Sequence, residues 1–346
     1  EDYRLVGGVN IKPNLKNNEY FLTFSDYKNR IDKDYTFHRN ILEGYGSRGE
    51  LVLHKIHEIF VKVGIPINNV KGFRVTMGMR NDIAVTKSFG TAKSLSDPDV
   101  MTFNSILRGE YVFDNTRKGG SNILFGTRYK IFGEYYQPMG DLNNNLFVVG
   151  FDFRKYIQIH KSFVWANRIA GSSSFGTQRL IYYMGGVDNW MFAKFNPHVQ
   201  VDEEQDFIYQ TLATNMRGFR QNIRNGNNFF LFNTELRFPL IKYFSPKPVK
   251  SAFWNNFMII GFGDIGTAWT GPNPFSDKNA LFKKNIYQNP VEITIINQDD
   301  PIVGGYGLGL RSTIFGYYIR ADWAWGVVNG IPANKPMFNL SLSLDF

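Results

Sequence analysis

Few residues in this chain are spaced for catalysis. Its five histidines, His38, His54, His57, His160 and His198, do not gather into a metal-binding pattern. His54-Lys55-Ile56-His57 lacks the glutamate and the spacing of a zinc-protease helix, and on a strand its two imidazoles point to opposite sides. Ser172-Ser173-Ser174 misses the Gly-x-Ser-x-Gly frame of a nucleophile elbow by one glycine. Gly305-Tyr306-Gly307-Leu308-Gly309 is followed by a strand rather than a helix, so small residues on a crowded interior face explain it better than a phosphate loop. The absence of cysteine excludes thiolate chemistry, zinc–cysteine sites and a disulfide scaffold. The expectation is a protein without enzymatic activity, metal or cofactor; an outer-membrane hydrolase is a minor alternative. One segment stands out instead: Asn215-Met216-Arg217-Gly218-Phe219-Arg220, a short polar motif that sets an arginine among strands suited to lipid.

Composition narrows the class. The chain has 346 residues, a formal charge of +9 and 16% aromatic residues, with 32 Phe and 18 Tyr. The Lys and Arg residues are spread along the chain without a basic run, which argues against a nucleic-acid partner. No stretch approaches the ~20 apolar residues of a membrane-spanning helix, but the strands of a membrane barrel leave no such trace.

Strand-like runs recur between clusters of Gly, Asn, Asp, Pro and Lys. They are expected at Tyr3–Ile11, Glu19–Tyr27, Asp34–Tyr45, Glu50–Ile67, Gly72–Thr86, Met101–Phe113, Asn122–Tyr136, Asn145–Gln158, Ser162–Ser172 and Arg179–Gly186. Val187–Gln210 is expected to be irregular, with Asp202-Glu203-Glu204 in a solvated loop. Further strands are expected at Asn228–Leu240, Phe257–Trp269, Val303–Phe315, Tyr317–Gly326 and Met337–Phe346, with a long polar insert from Thr270 to Pro301. Many alternate sharply. Phe147, Val149, Phe151 and Phe153 oppose Asp152 and Arg154; Phe230, Phe232, Leu236 and Phe238 oppose Asn233, Glu235 and Arg237. The last run sets Phe338, Leu340, Leu342, Leu344 and Phe346 against Asn339, Ser341, Ser343 and Asp345. A soluble sandwich strand also alternates, but aromatic-out, charged-in strands of ~10 residues along a whole chain point to a membrane barrel. In lipid every backbone group must be paired, so such strands close on themselves. The expected fold class is therefore all-β, an antiparallel transmembrane β-barrel over residues 1–346. Short turns predict the periplasmic side. The Arg217 segment, Thr270–Pro301 and Val327–Pro336 then fall on the extracellular side.

Four places in order resemble the BamA/TamA-type outer-membrane assembly and translocation barrels. They are Met216-Arg217-Gly218-Phe219, Asn233-Thr234-Glu235-Leu236-Arg237-Phe238-Pro239, Gly263-Asp264-Ile265-Gly266, and Gly305–Arg311 with the aromatic end of the chain. Asp114–Gly120 and Met184-Gly185-Gly186 extend the likeness. The resemblance implies about sixteen strands and an extracellular loop folded into the lumen, with Arg217, Gly218 and Phe219 at its tip. It further implies Asp264 as carboxylate partner of Arg217, with Glu235 a second candidate. Asp264 shares parity with Met258, Ile260 and Phe262, which the pattern assigns to lipid, so this pairing is expected to need a bulge at the neighbouring glycines.

Function follows from the same resemblance. It implies insertion or translocation of polypeptides at a lateral seam between Tyr3–Ile11 and the last strand, with Phe338, Leu340, Leu342, Leu344 and Phe346 also forming an insertion signal. The implied location is the outer membrane of a Gram-negative bacterium. The implied partners are outer-membrane lipids, unfolded outer-membrane or secreted clients, and periplasmic or lipoprotein accessory subunits. The periplasmic modules that usually precede such barrels are not expected in this chain. A passive or selective porin, and a secretion pore for one dedicated partner, are the rival functions.

Overall fold

A computed structural model of the chain describes residues 5–13, 18–28, 31–45, 51–87, 100–140, 143–196, 199, 207–213, 215–245, 249–277, 279–288, 291–296, 299–342 and 344–346. Tyr3, Asp202-Glu203-Glu204 and Ser343 lie outside them, as do the side chains of His38, His54 and His57. The chain divides into two compact units, residues 1–112 with 131–149 and 176–178, and residues 113–130 with 150–175 and 179–346. Both are all-β, and their long strands, more than a dozen in total, pair antiparallel. No helix among the described residues is long and apolar enough to cross a membrane, which says nothing about crossing by strands.

In the first unit, β1 (Leu5–Pro13), β2 (Asn18–Lys28), β3 (Ile31–Tyr45), β4 (Leu51–Pro66), β5 (Lys71–Lys87) and β6 (Val100–Asp114) pair in chain order. Residues 51–66 are strand, not helix, because Ile59, Val61, Val63 and Ile65 recur with period two. A tight turn closes β4 onto β5, where the Asn68 side chain accepts from the backbone of Val70 and Lys71 at 3.0 and 2.8 Å. Phe73, Met77 and Met79 are exposed, while Arg80, on the other parity, is buried. The same buried face holds Arg108 between Glu110 and Glu134.

β7 (Arg117–Gly120) is a short strand within the Asp114–Gly120 connection, and it pairs with β8. β8 (Ile123–Pro138) and β9 (Leu146–His160) each contribute residues to both units. The second unit continues with β10 (Phe163–Gly176), β11 (Arg179–Met184), β12 (Phe207–Leu212), β13 (Arg224–Gly226) and β14 (Asn228–Phe238). Two short helices, α1 (Leu240–Phe244) and α2 (Ala252–Asn255), lead to β15 (Met258–Trp269). Then come β16 (Lys283–Gln288), β17 (Val291–Ile296), β18 (Val303–Ile314), β19 (Tyr317–Val328), β20 (Ile331–Pro332) and β21 (Met337–Leu342). The order β10-β14-β15-β18-β19 runs through continuous antiparallel ladders, and β21 pairs with β19.

Three expectations need correction. Arg179–Gly186 does not join this sheet; β11 stands apart in a small sheet with β12 and β13, so its apolar run covers local packing. The Val187–Gln210 segment is not wholly irregular, since β12 begins at Phe207. The long polar insert Thr270–Pro301 carries a hairpin of β16 and β17. Finally, β15 has no bulge: its register to β14 and β18 is unbroken through Gly263-Asp264-Ile265-Gly266. Its parity was read correctly, but its faces were swapped. Met258, Ile260 and Phe262, on the parity of the buried Asp264, cluster with Ile123, Tyr156, Val164 and Ala166, whereas Ile259 and Ile265 are exposed. An apolar residue sits comfortably on either face of such a strand, whereas an unpaired carboxylate does not.

This assignment of faces is testable. Ile260→Ala should cost about 2–4 kcal/mol in denaturant unfolding, as expected for truncating a fully buried isoleucine. Ile259, 37% exposed, should lose less than about 1 kcal/mol on the same change.

Candidate functional site

A row of four residues crosses the sheet of the second unit. Asn233 on β14 stands opposite Asp264 on β15, Asp264 opposite Gly305 on β18, and Gly305 opposite Gly326 on β19. The motif Arg217-Gly218-Phe219 lies against this row. The Arg217 guanidinium donates from Nε to Asp264 Oδ2 and from Nη2 to Asp264 Oδ1, both at 2.7 Å. Its third arm, Nη1, reaches Glu235 Oε1 at 2.6 Å. The Arg217 backbone N–H also points at Asp264 Oδ2, at 3.2 Å. Asn233 Nδ2 adds a bond to Asp264 Oδ1 at 2.7 Å and another to the Asn215 carbonyl at 2.9 Å. The Phe262 ring lies under the fork, 3.7 Å from Cζ. All three ionic groups are buried.

Glycine makes the close approach possible. Gly218 has φ +91°, and a Cβ there would lie 2.6 Å from the backbone nitrogen of Gly326. A Cβ at Gly305 would collide with the Arg217 carbonyl oxygen, and one at Gly326 would come within 2.6 Å of the Phe219 ring. Gly307 and Gly309 leave room in the same way for the Phe262 ring and the Asp322 carboxylate. The alternation Gly305-Tyr306-Gly307-Leu308-Gly309 therefore clears one face for the motif and keeps side chains on the other.

Charge continues beyond Arg217. Glu235 is shared, its Oε2 accepting from Arg237 Nε at 2.8 Å, and Arg237 Nη2 in turn reaches the Phe346 carbonyl oxygen at 2.9 Å. Arg311 bridges Asp322 at 2.7 Å and Asp345 at 2.8 Å. Asn122 donates to Asp345 Oδ2 at 2.6 Å. Buried ions of this kind are stable only when every charge is matched, since desolvation of each costs several kcal/mol. For Arg217, which lies outside the strands, burial alone would lower the pKa; Asp264 and Glu235 outweigh it and hold the guanidinium well above its usual range.

The structure thus brings together Arg217, Gly218, Phe219, Asp264 and Glu235. It treats the terminal residues differently. Phe338, Leu342 and Leu344 are exposed, and Leu340 is half-buried. Phe346 does not extend their apolar face: β21 ends at Leu342, and Phe346 is 6% exposed with the Arg237 guanidinium 5.0 Å from its ring. The cause is Asp345. Its carboxylate is drawn to Arg311 and Asn122, which turns the last residues out of the strand. Parity had already placed Arg237 beside Glu235. Asn122 and Phe262 carried no comparable signal.

Two measurements address the site. Arg217→Ala should cost about 3–5 kcal/mol, because it leaves the buried Asp264 carboxylate without a cation, while Glu235 keeps only Arg237. Asp264→Ala added to it should cost far less than it does alone, and Arg217→Lys should not restore stability because it cannot make the fork. Unfolding midpoints of the parent and these four variants check this. The second concerns Asp345, beyond the end of β21. Burial would raise its pKa, but Arg311, Arg320 and Arg237 outweigh that and hold the carboxyl well below the usual range. A depressed folded pKa contributes stability that is complete above the unfolded value of about 4 and is lost as pH falls below it. Asp345→Asn should therefore be less stable than the parent at pH 7, with the gap shrinking towards pH 2.

No family model matches the chain, and no curated protein does. Solved structures do match. BamA from Haemophilus ducreyi lacking POTRA domains 1–3 is similar at a TM-score of 0.57 and 12% identity, over 94% of this chain and 62% of that one. CdiB from Acinetobacter baumannii matches at 0.54 and 12% identity, over 95% of this chain and 50% of that one. CdiB from Escherichia coli matches at 0.51 and 12% identity, over 95% and 53%. The chain shares their fold over nearly its whole length, so the likeness to BamA read from the motifs is present in the backbone. It spans about half to three-fifths of the length of the structures it matches.

Proposed function

We propose that this chain is the barrel of an outer-membrane machine for inserting or translocating polypeptides. The observation that carries the proposal is the buried Arg217 fork on Asp264 and Glu235, at a motif that resembles one of the assembly barrels, within a fold similar to that of BamA over 94% of the chain. In an assembly barrel that loop braces β14, β15, β18 and β19, so that opening is confined to a lateral seam at the edge of the last strand, β21, opposite β19. Once the seam opens, the edge of a strand there offers its N–H and C=O groups to a client, which pairs by strand addition. In this scheme Phe338, Leu342 and Leu344 face lipid, and the membrane is a Gram-negative outer membrane. Unfolded outer-membrane or secreted proteins are its clients, with periplasmic or lipoprotein subunits delivering them. No bond is made or broken, and no cofactor is needed.

The test is reconstitution in vesicles with an unfolded eight-stranded client barrel. The chain should accelerate client folding, and Arg217→Ala should reduce that acceleration at least about tenfold, the equivalent of ~1.4 kcal/mol in barrier height. Steady ion conductance without any effect on client folding, unchanged in Arg217→Ala, would sink the proposal in favour of a porin.

A further inference from the structure

Beyond the Arg217 site, a second contact concerns the last strand. Among the described residues, β19 is the strand paired with β21, along Ile319↔Leu342 to Ala324↔Met337. The backbone groups of Leu340 and Leu342 point away from β19, towards the other edge, and that edge is occupied. Trp190 forms an antiparallel bridge with Ser341; Met191 N–H donates to the Leu340 carbonyl at 2.9 Å, and Leu342 N–H donates to the Asn189 carbonyl at 3.4 Å. Residues 189–191 therefore sit on β21 through an isolated antiparallel bridge.

We infer that Asn189–Met191 is a built-in placeholder, covering the edge of β21 until an incoming strand displaces it. The inference rests on the insertion function proposed above and adds its closed state. Several features make this segment displaceable rather than a permanent strand. It offers two backbone hydrogen bonds, each contributing about 1 kcal/mol net. Asn189, at φ +52°, breaks the extended conformation at one end. A client strand pairing along all of β21 would form several more bonds and outcompete it.

The placeholder is also tied to the Arg217 motif. Met216 N–H donates to the Gly186 carbonyl at 3.0 Å, and Asp188 N–H to Asn215 Oδ1 at 2.7 Å. Arg320 grips both partners, from Nη2 to the Asp188 carbonyl at 3.3 Å and from Nε to Ser341 Oγ at 2.9 Å. A loop seated by Arg217 thus holds the cap in place, and release of one loosens the other.

The chain has no cysteine, so a two-cysteine lock can be read cleanly. Residues paired directly across an antiparallel bridge have Cα atoms about 4.5–5.5 Å apart, within disulfide range. In vesicles, Trp190→Cys with Ser341→Cys should oxidise in most molecules. The probe is a synthetic peptide copying residues 337–346 with a photo-crosslinker. The reduced protein should capture it, the oxidised form at least about tenfold less, and Met191→Pro, which deletes one bond to β21, more than the parent. Failure of the disulfide to form, equal capture by both redox states, or no capture even by Met191→Pro would each overturn the placeholder. Client folding in the same vesicles is scored separately. Its absence in every form would remove the insertion function, while peptide capture would still decide whether the edge is covered.

Discussion

The second unit depends on one arginine fork. Arg217 arrives from a loop and Asp264 and Glu235 from adjacent strands, so the triad joins segments far apart in the chain. Asp264 could not be buried without Arg217, nor Arg217 without its carboxylates. A carboxylate on the buried face of β15 is costly until a cation reaches it, and a buried cation is equally costly without its anions. The loop is held to the sheet because the charges already built into β14 and β15 require it. The glycines of β18 and β19 then determine how closely it can settle.

That constraint extends outward by shared partners. Glu235 serves both Arg217 and Arg237, and Arg237 contacts Phe346. Asp345 serves Arg311 and draws the last residues away from the line of β21. The same loop reaches the opposite edge of β21 through Asp188 and Trp190. Bracing, chain end and strand edge are thus linked through a continuous set of hydrogen bonds. Each of these bonds is modest, and the buried charges in the set make it hard to break piecemeal.

Much of this was legible in the sequence. Period-two alternation located β14, β15, β18 and β19 to within a residue or two, because side chains on a strand must alternate between a polar and an apolar environment. The pairing of Arg217 with Asp264 and Glu235 was legible only through resemblance, since residues 18 and 47 positions apart carry no local signal of contact. The orientation of β15 was misread for a physical reason. Met258, Ile260 and Phe262 look like a lipid-facing stripe, yet a buried face that must also be filled takes apolar residues wherever no charge is needed. Ile259 and Ile265 on the other parity are equally apolar, so hydrophobicity could not choose, and the carboxylate of Asp264 decided.

By itself, the sequence determined the element type, the strand positions, the lack of spaced catalytic groups and the motif worth examining. These are local properties, set by alternation, turn residues and composition. Tertiary structure decided what local pattern cannot encode. It turned Phe346 inward although its parity matched Phe338, drew β11 out of the main sheet, and set residues 189–191 on β21. Each of those outcomes was settled by a competition for hydrogen-bond and charge partners between segments distant in the chain, and that competition exists only once the segments meet.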